Sequence, residues 1–153
     1  MRSFTTLIFL LLSIATSVFA ADTCTQSDDV YNLQKQVYHV HAFCKFYNSS
    51  VRKKTPINDV TPKGTREACV CELSVEEDKT SRIMIPTGFV KETYPAPCRK
   101  ADVKKVLSSF GDFTKFCNFY TTGSGRTQNV IPGLSPKRTV KACECIAEYG
   151  YYS

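Results

Sequence analysis

The chain has no Trp, only two His and only two Met. The first two shortages each exclude something. Sugar-binding platforms draw on flat aromatic faces, and Trp is the largest of these, so its absence weakens a lectin or chitin-binding reading, although Tyr-based stacking stays open. The two histidines, His39 and His41, stand two residues apart and so point away from each other on a helix. A metal pair wants an i, i+4 spacing on one face, and no HExxH motif, Ser nucleophile elbow or Walker loop occurs. Gly123-Ser124-Gly125 precedes no helix start and reads as a flexible loop rather than a phosphate cradle. Basic residues are scattered rather than arranged in a stripe interleaved with aromatics, which argues against nucleic-acid binding. After the first 20 residues no segment is apolar enough to span a bilayer.

The first 20 residues, MRSFTTLIFLLLSIATSVFA, carry Arg2, an apolar run from Leu7 to Leu12, and Val18 and Ala20 at the −3 and −1 positions of a small-residue cleavage site. That is the three-part pattern of a secretory signal peptide. The run is too short for a membrane span and is broken by Ser13, Thr16 and Ser17. Cleavage after Ala20 removes Arg2 and leaves 19 basic against 14 acidic residues, a net charge of +5. The expected product is an extracellular protein without a membrane span.

What the chain has in quantity is cysteine. All eight (Cys24, Cys44, Cys69, Cys71, Cys98, Cys117, Cys143, Cys145) follow the cleavage site. An even count in a small exported chain implies a disulfide framework. Zinc sites want pairs two to four residues apart. Here one residue separates the close pairs, Cys69-Val70-Cys71 and Cys143-Glu144-Cys145, so neither a metal nor another cofactor is expected.

The cysteines also repeat. Their spacings are 20, 25 and 2 from Cys24 to Cys71, and 19, 26 and 2 from Cys98 to Cys145. Phe43-Cys44-Lys45-Phe46-Tyr47 matches Phe116-Cys117-Asn118-Phe119-Tyr120, and Ala68 to Cys71 matches Ala142 to Cys145. With one-residue shifts the two stretches share 15 identities over 48 positions, beyond what chance gives, so the chain reads as a duplication. The division is signal peptide 1–20, a first four-Cys module 21–73, a connection 74–97 and a second four-Cys module 98–153.

The fold expected is mainly α. Each module should hold a longer helix, a loop and a short helix, with an irregular connection between modules. Val30, Leu33, Val37, Val40, Cys44 and Tyr47 fall on one face of a helix, and Val103, Val106, Phe110, Phe113, Cys117 and Tyr120 repeat those offsets, with Gly111 able to break the second copy. Ser27 is an N-cap followed by Asp28 and Asp29. Thr61-Pro62 and Ser135-Pro136 announce the short helices. Residues two apart on a helix point about 200° away from each other, so the cysteines of each close pair reach different partners. Antiparallel helices favour Cys24–Cys71 with Cys44–Cys69, and Cys98–Cys145 with Cys117–Cys143. The crossed pairing stays open. Short strand-like pieces are expected at 82–85 and 88–90.

The motif Phe-Cys-x-Phe-Tyr, an Arg in a Pro-containing loop, Ser/Thr-Pro and Ala-Cys-x-Cys resembles a module of the small secreted cysteine-rich proteins of filamentous fungi. The second copy is closer, with Arg126, Ile131-Pro132-Gly133-Leu134 and Ala142 to Ile146 all fitting, whereas Asn58-Asp59-Val60 lacks the Pro-Gly and Glu72 replaces Ile. The resemblance implies a candidate effector acting outside the fungal cell and brings no catalytic residues.

The expected role is therefore a noncatalytic interaction protein that binds a host or cell-wall component, either protein or polysaccharide, as a monomer. The loops 48–60 and 121–134 are the surface left for recognition, with Arg52, Lys53, Lys54 and Arg126 as candidate binding residues and Asn48-Ser49-Ser50 as a glycosylation sequon. The alternatives are a small extracellular hydrolase such as a ribonuclease, using His39 or His41 with Glu67, Glu72 or Glu76, or a carbohydrate-binding module pair. The aromatic tail 148–153 is expected to pack back on the second module or fray.

Overall fold

In the computed structural model the described residues are 24, 27–75, 94–123 and 126–150. The signal-peptide reading, the strand-like pieces at 82–85 and 88–90 and residues 151–153 lie outside them. The described chain is mainly helical and contains no strand: α1 Asp28–Gln36, α2 Val40–Asn48, α3 Pro62–Ser74, α4 Lys100–Leu107, α5 Phe113–Thr122 and α6 Pro136–Tyr149. None of its helices is long and apolar enough to cross a membrane.

Four disulfides staple these helices: Cys24–Cys71, Cys44–Cys69, Cys98–Cys145 and Cys117–Cys143. Each joins residues of the same half of the chain. The Cys-x-Cys pairs of α3 and α6 do reach separate partners, as their opposed directions require. Thr61 and Ser135 cap these two helices, accepting from the backbone N–H of Gly64 at 3.0 Å and of Arg138 at 3.4 Å, with Pro in the first turn of each. Ser27 stands at the N-cap of α1 without a side-chain cap bond.

The longer helix expected in each half is two helices. α1 stops at Gln36, and Val37 turns extended (φ −126°, ψ 119°). Val37 then forms an antiparallel bridge with Phe110, which lies in the matching break between α4 and α5. Two backbone bonds flank it, Tyr38 N–H to Ser109 C=O at 3.0 Å and Gly111 N–H to Gln36 C=O at 2.8 Å. The apolar stripe survives the break, because Leu33, Val37, Val40, Cys44 and Tyr47 are all buried. Periodicity reports which face is apolar, and two helices that both turn that face inward satisfy it as well as one.

The bridge joins equivalent positions. Val37 and Phe110 are 73 residues apart, and so are Gln36 and Ser109, Tyr38 and Gly111, Phe46 and Phe119, and Tyr47 and Tyr120. The two flanking bonds therefore exchange under an approximate two-fold axis. Aromatic rings continue the pairing: Phe46 meets Phe119 edge-on with centroids 6.2 Å apart, Phe46 meets Tyr120 at 5.7 Å, and Tyr47 meets Phe119 at 6.1 Å. Phe110 stacks on Phe116 within the second half and meets Phe43 of the first. The buried side chains of both halves belong to one core. The halves keep separate disulfides and share their apolar interior.

One equivalent pair has diverged. Asp102 at the start of α4 is buried, and the Arg138 guanidinium of α6 grips its two carboxylate oxygens, the Nε bond being 2.9 Å. In the first half the matching residues are Asp29 and Gly64, and a Cβ at Gly64 would fall 2.1 Å from Asp29 Oδ2. The guanidinium bonds hold the Asp102 carboxyl below the usual carboxylate range. A carboxyl with a depressed folded pKa stabilises the fold above its unfolded value, near ~3.9, and loses that contribution as pH falls through the folded value. The thermal midpoint of the protein should therefore drop on acidification through this window, and the drop should be smaller in Asp102→Asn. Melting both proteins between about pH 2 and 5 by circular dichroism checks this. Parallel curves would remove Asp102 from the account.

Candidate functional site

The two loops are held by the same devices. The Tyr47 hydroxyl donates to the Lys54 carbonyl at 2.9 Å, and the Tyr120 hydroxyl donates to the Gln128 carbonyl at 2.8 Å. Each repeated Tyr thus ties down the loop that follows its own helix. Burial raises both phenols, pushing Tyr120 up to about 12, so they remain proton donors at ordinary pH. Further along, Ile57 and Val60 pin the first loop into the core, and Val130, Ile131 and Leu134 pin the second. Both loops turn through a left-handed residue at matching places, Asp59 (φ 60°) and Gly133 (φ 71°). Such backbone is free for Gly and tolerated by Asp better than by most residues, which is why Asn58-Asp59 can stand in for Pro132-Gly133.

The loops also meet each other. Ser49 Oγ hydrogen-bonds the Phe46 carbonyl and the Gln128 side-chain amide, at 2.7 Å each. Lys53, Lys54, Arg126 and Thr127 are exposed, and Val51 projects with 83% of its surface open. The structure thus brings the 49–54 segment of one half beside the 126–128 segment of the other.

Arg52 and Arg126, in register in the sequence, have different surroundings. Arg52 Nε donates to the Tyr47 carbonyl at 3.1 Å and Arg52 Nη2 to the Phe46 carbonyl at 2.8 Å, closing the C-terminal end of α2. Its guanidinium carbon lies 4.0 Å over the Phe46 ring and 5.9 Å from both Tyr47 and Phe119. Burial lowers its pKa, and the Arg66 charge adds to that. Arg126 is exposed. The Phe46–Phe119 pair lies across the approximate axis, and one guanidinium fills the place above it.

Asn48 is the last residue of α2 rather than a loop residue. It is half-buried, and its Oδ1 is buried without a hydrogen-bond partner. His39 stands at the N-cap of α2 beside the Tyr38 ring, 4.8 Å between centroids, and burial together with the Lys105 charge lowers its pKa. His41 lies within α2, its Nδ1 buried and unbonded. Among the described residues neither histidine bonds a carboxylate. Glu67 pairs with Lys63 at 3.6 Å, buried Glu72 accepts from Gln34 at 2.6 Å, and Glu76 is outside the described residues. No three His, Cys, Asp or Glu side chains among the described residues gather as a metal site.

Sequence reasoning missed Asn58. Its backbone N–H donates to Gln36 Oε1 at 2.7 Å and its C=O accepts from Gln36 Nε2 at 3.0 Å. Its side chain bonds Asp112 at 3.3 Å and accepts from Lys115 Nζ at 2.8 Å. Asp112 in turn caps α5 through the Lys115 N–H at 2.8 Å. Gln36, Asn58 and Asp112 line a cleft of about 450 Å³ between the halves. No local pattern marks Asn58, because its partners lie 22, 54 and 57 residues away.

The chain matches no family model, no curated protein and no solved structure.

Proposed function

We propose that this is a noncatalytic, exported interaction protein of the fungal effector-like kind, binding a host or cell-wall component as a monomer after loss of residues 1–20. The observation that carries the reading is the contrast between frame and loops. Tyr47 and Tyr120 anchor their loops in the same way, on the same disulfide and aromatic frame. The exposed content differs, with Val51, Lys53 and Lys54 on one loop and Arg126 and Thr127 on the other. A rigid frame that presents unlike adjacent loops suits recognition, which needs positioned but variable side chains. Among the described candidates for a hydrolase, Glu67 pairs with Lys63 and Glu72 with Gln34, and neither histidine bonds a carboxylate.

A tagged mature protein should retain a partner from host extracellular fluid or culture. The variant His39→Ala/His41→Ala should retain the same partner, whereas Lys53→Ser/Lys54→Ser and Arg126→Ser should retain less, with unchanged helical circular dichroism. Arg52 is left in place because it closes α2. Loss of biological activity in the histidine variant, with its fold intact, would instead favour the extracellular hydrolase.

A further inference from the structure

Acidic residues are missing from two long intervals, 30–58 and 113–143. These intervals include α2 and α5 and most of both loops, so the two segments that meet at Ser49 and Gln128 carry charge of one sign. Lys53, Lys54 and Arg126 are exposed there, and Arg66 of α3 follows Thr65, whose hydroxyl meets that of Thr55 in the first loop at 2.8 Å. Among the described residues no carboxylate forms an ion pair with Arg52. Its hydrogen bonds go to the Phe46 and Tyr47 carbonyls and, at 3.5 Å, to Ser49 Oγ. A half-buried cation with cationic neighbours and no carboxylate to balance it is a place where an external anion lowers the free energy.

We infer that the joined loops form a binding face for an anionic, carboxylated polysaccharide, with Lys53, Lys54, Arg66 and Arg126 supplying charge and Arg52 holding the face in shape. This rests on the loop-recognition reading and names the class of partner. The chemistry around the cations selects a polysaccharide. Ser50, Thr127, Gln128 and Asn129 lie between or beside them and offer hydroxyl and amide groups to sugar hydroxyls. Val51 is the sole large apolar side chain exposed on the described loop residues, which is too little for insertion into a lipid interface. No strongly exposed aromatic ring stands on the loops to stack bases, as single-stranded nucleic acid requires.

The test uses the oxidised mature chain and three probes: immobilised polygalacturonate, a neutral β-glucan and phosphatidylserine vesicles. Retention on polygalacturonate alone is expected, weakening steeply as salt is raised. The variant Lys53→Ser/Lys54→Ser/Arg126→Ser should bind roughly tenfold more weakly. Arg66→Ser should weaken binding further, and Tyr31→Ser, an exposed change on α1, should leave it unchanged. Circular dichroism confirms that each variant is folded. No retention on polygalacturonate, equal binding by the triple variant, or preference for the vesicles or the neutral glucan would overturn the inference. A neutral or protein partner captured from host fluid through the same loops would overturn it while leaving the loop-recognition reading intact.

Discussion

Replacing Phe46 by Ala is expected to destabilise the protein by about 3–5 kcal/mol, the range for removing a buried aromatic ring, and to loosen both halves at once. The Phe46 ring is 2% exposed. It touches Phe43 in its own half and Phe119 and Tyr120 in the other, and it carries the Arg52 guanidinium 4.0 Å above its face. The substitution therefore opens a cavity at the seam and removes the platform of the residue that closes α2. Urea unfolding followed by circular dichroism, with hydrogen exchange read separately in α2 and α5, measures both effects. A shared core predicts that protection falls in α5 as well as α2. Loss confined to α2 and α3 would show that the halves are energetically independent.

The second large effect concerns the covalent connection. Cutting the chain at a protease site inserted between 76 and 93 is expected to leave the two pieces together as one particle on a sizing column. They should part in urea without any reductant, because each disulfide lies within one half. The piece 98–153 made alone should behave differently. Its disulfides can close, but Phe110 and Tyr120, buried in the intact protein, lose the Phe43 and Phe46 rings of the first half. Fewer than about 70 residues supply a thin core even with disulfides. The lone piece should therefore self-associate, and the approximate two-fold axis offers it a way to do so, with one copy standing in for the missing half. Two pieces that elute separately and keep their native helical signal would instead make them independent modules joined by a linker.

Much of this architecture is readable in the residues because it is written in local chemistry. Thr61-Pro62 and Ser135-Pro136 start helices, since a capping hydroxyl and a ring already fixed near helical φ act within one turn. The opposed directions of Cys69 and Cys71, and of Cys143 and Cys145, follow from helix geometry alone. The apolar stripes identify the buried faces, and the repeated Phe-Cys-x-Phe-Tyr identifies equivalent positions. The break at Val37–His39 was not legible. It exists because Val37 pairs with Phe110, and no local signal reports a partner 73 residues away. Asn58 was missed for the same reason.

The sequence by itself determined the helical class, the internal repeat and the residues available for the loops. Tertiary structure decided how equivalent residues are used. Arg52 and Arg126 occupy matching places in the repeat, yet Arg52 lies over Phe46 beside the Phe46–Phe119 pair while Arg126 stands in solvent. Asp29 is received by the bare backbone of Gly64, and Asp102 by the guanidinium of Arg138. A repeat makes its copies alike one at a time. Packing them face to face brings both copies to one seam, where Arg52 lies over Phe46 and Arg126 stays exposed, so two residues in register end in different environments.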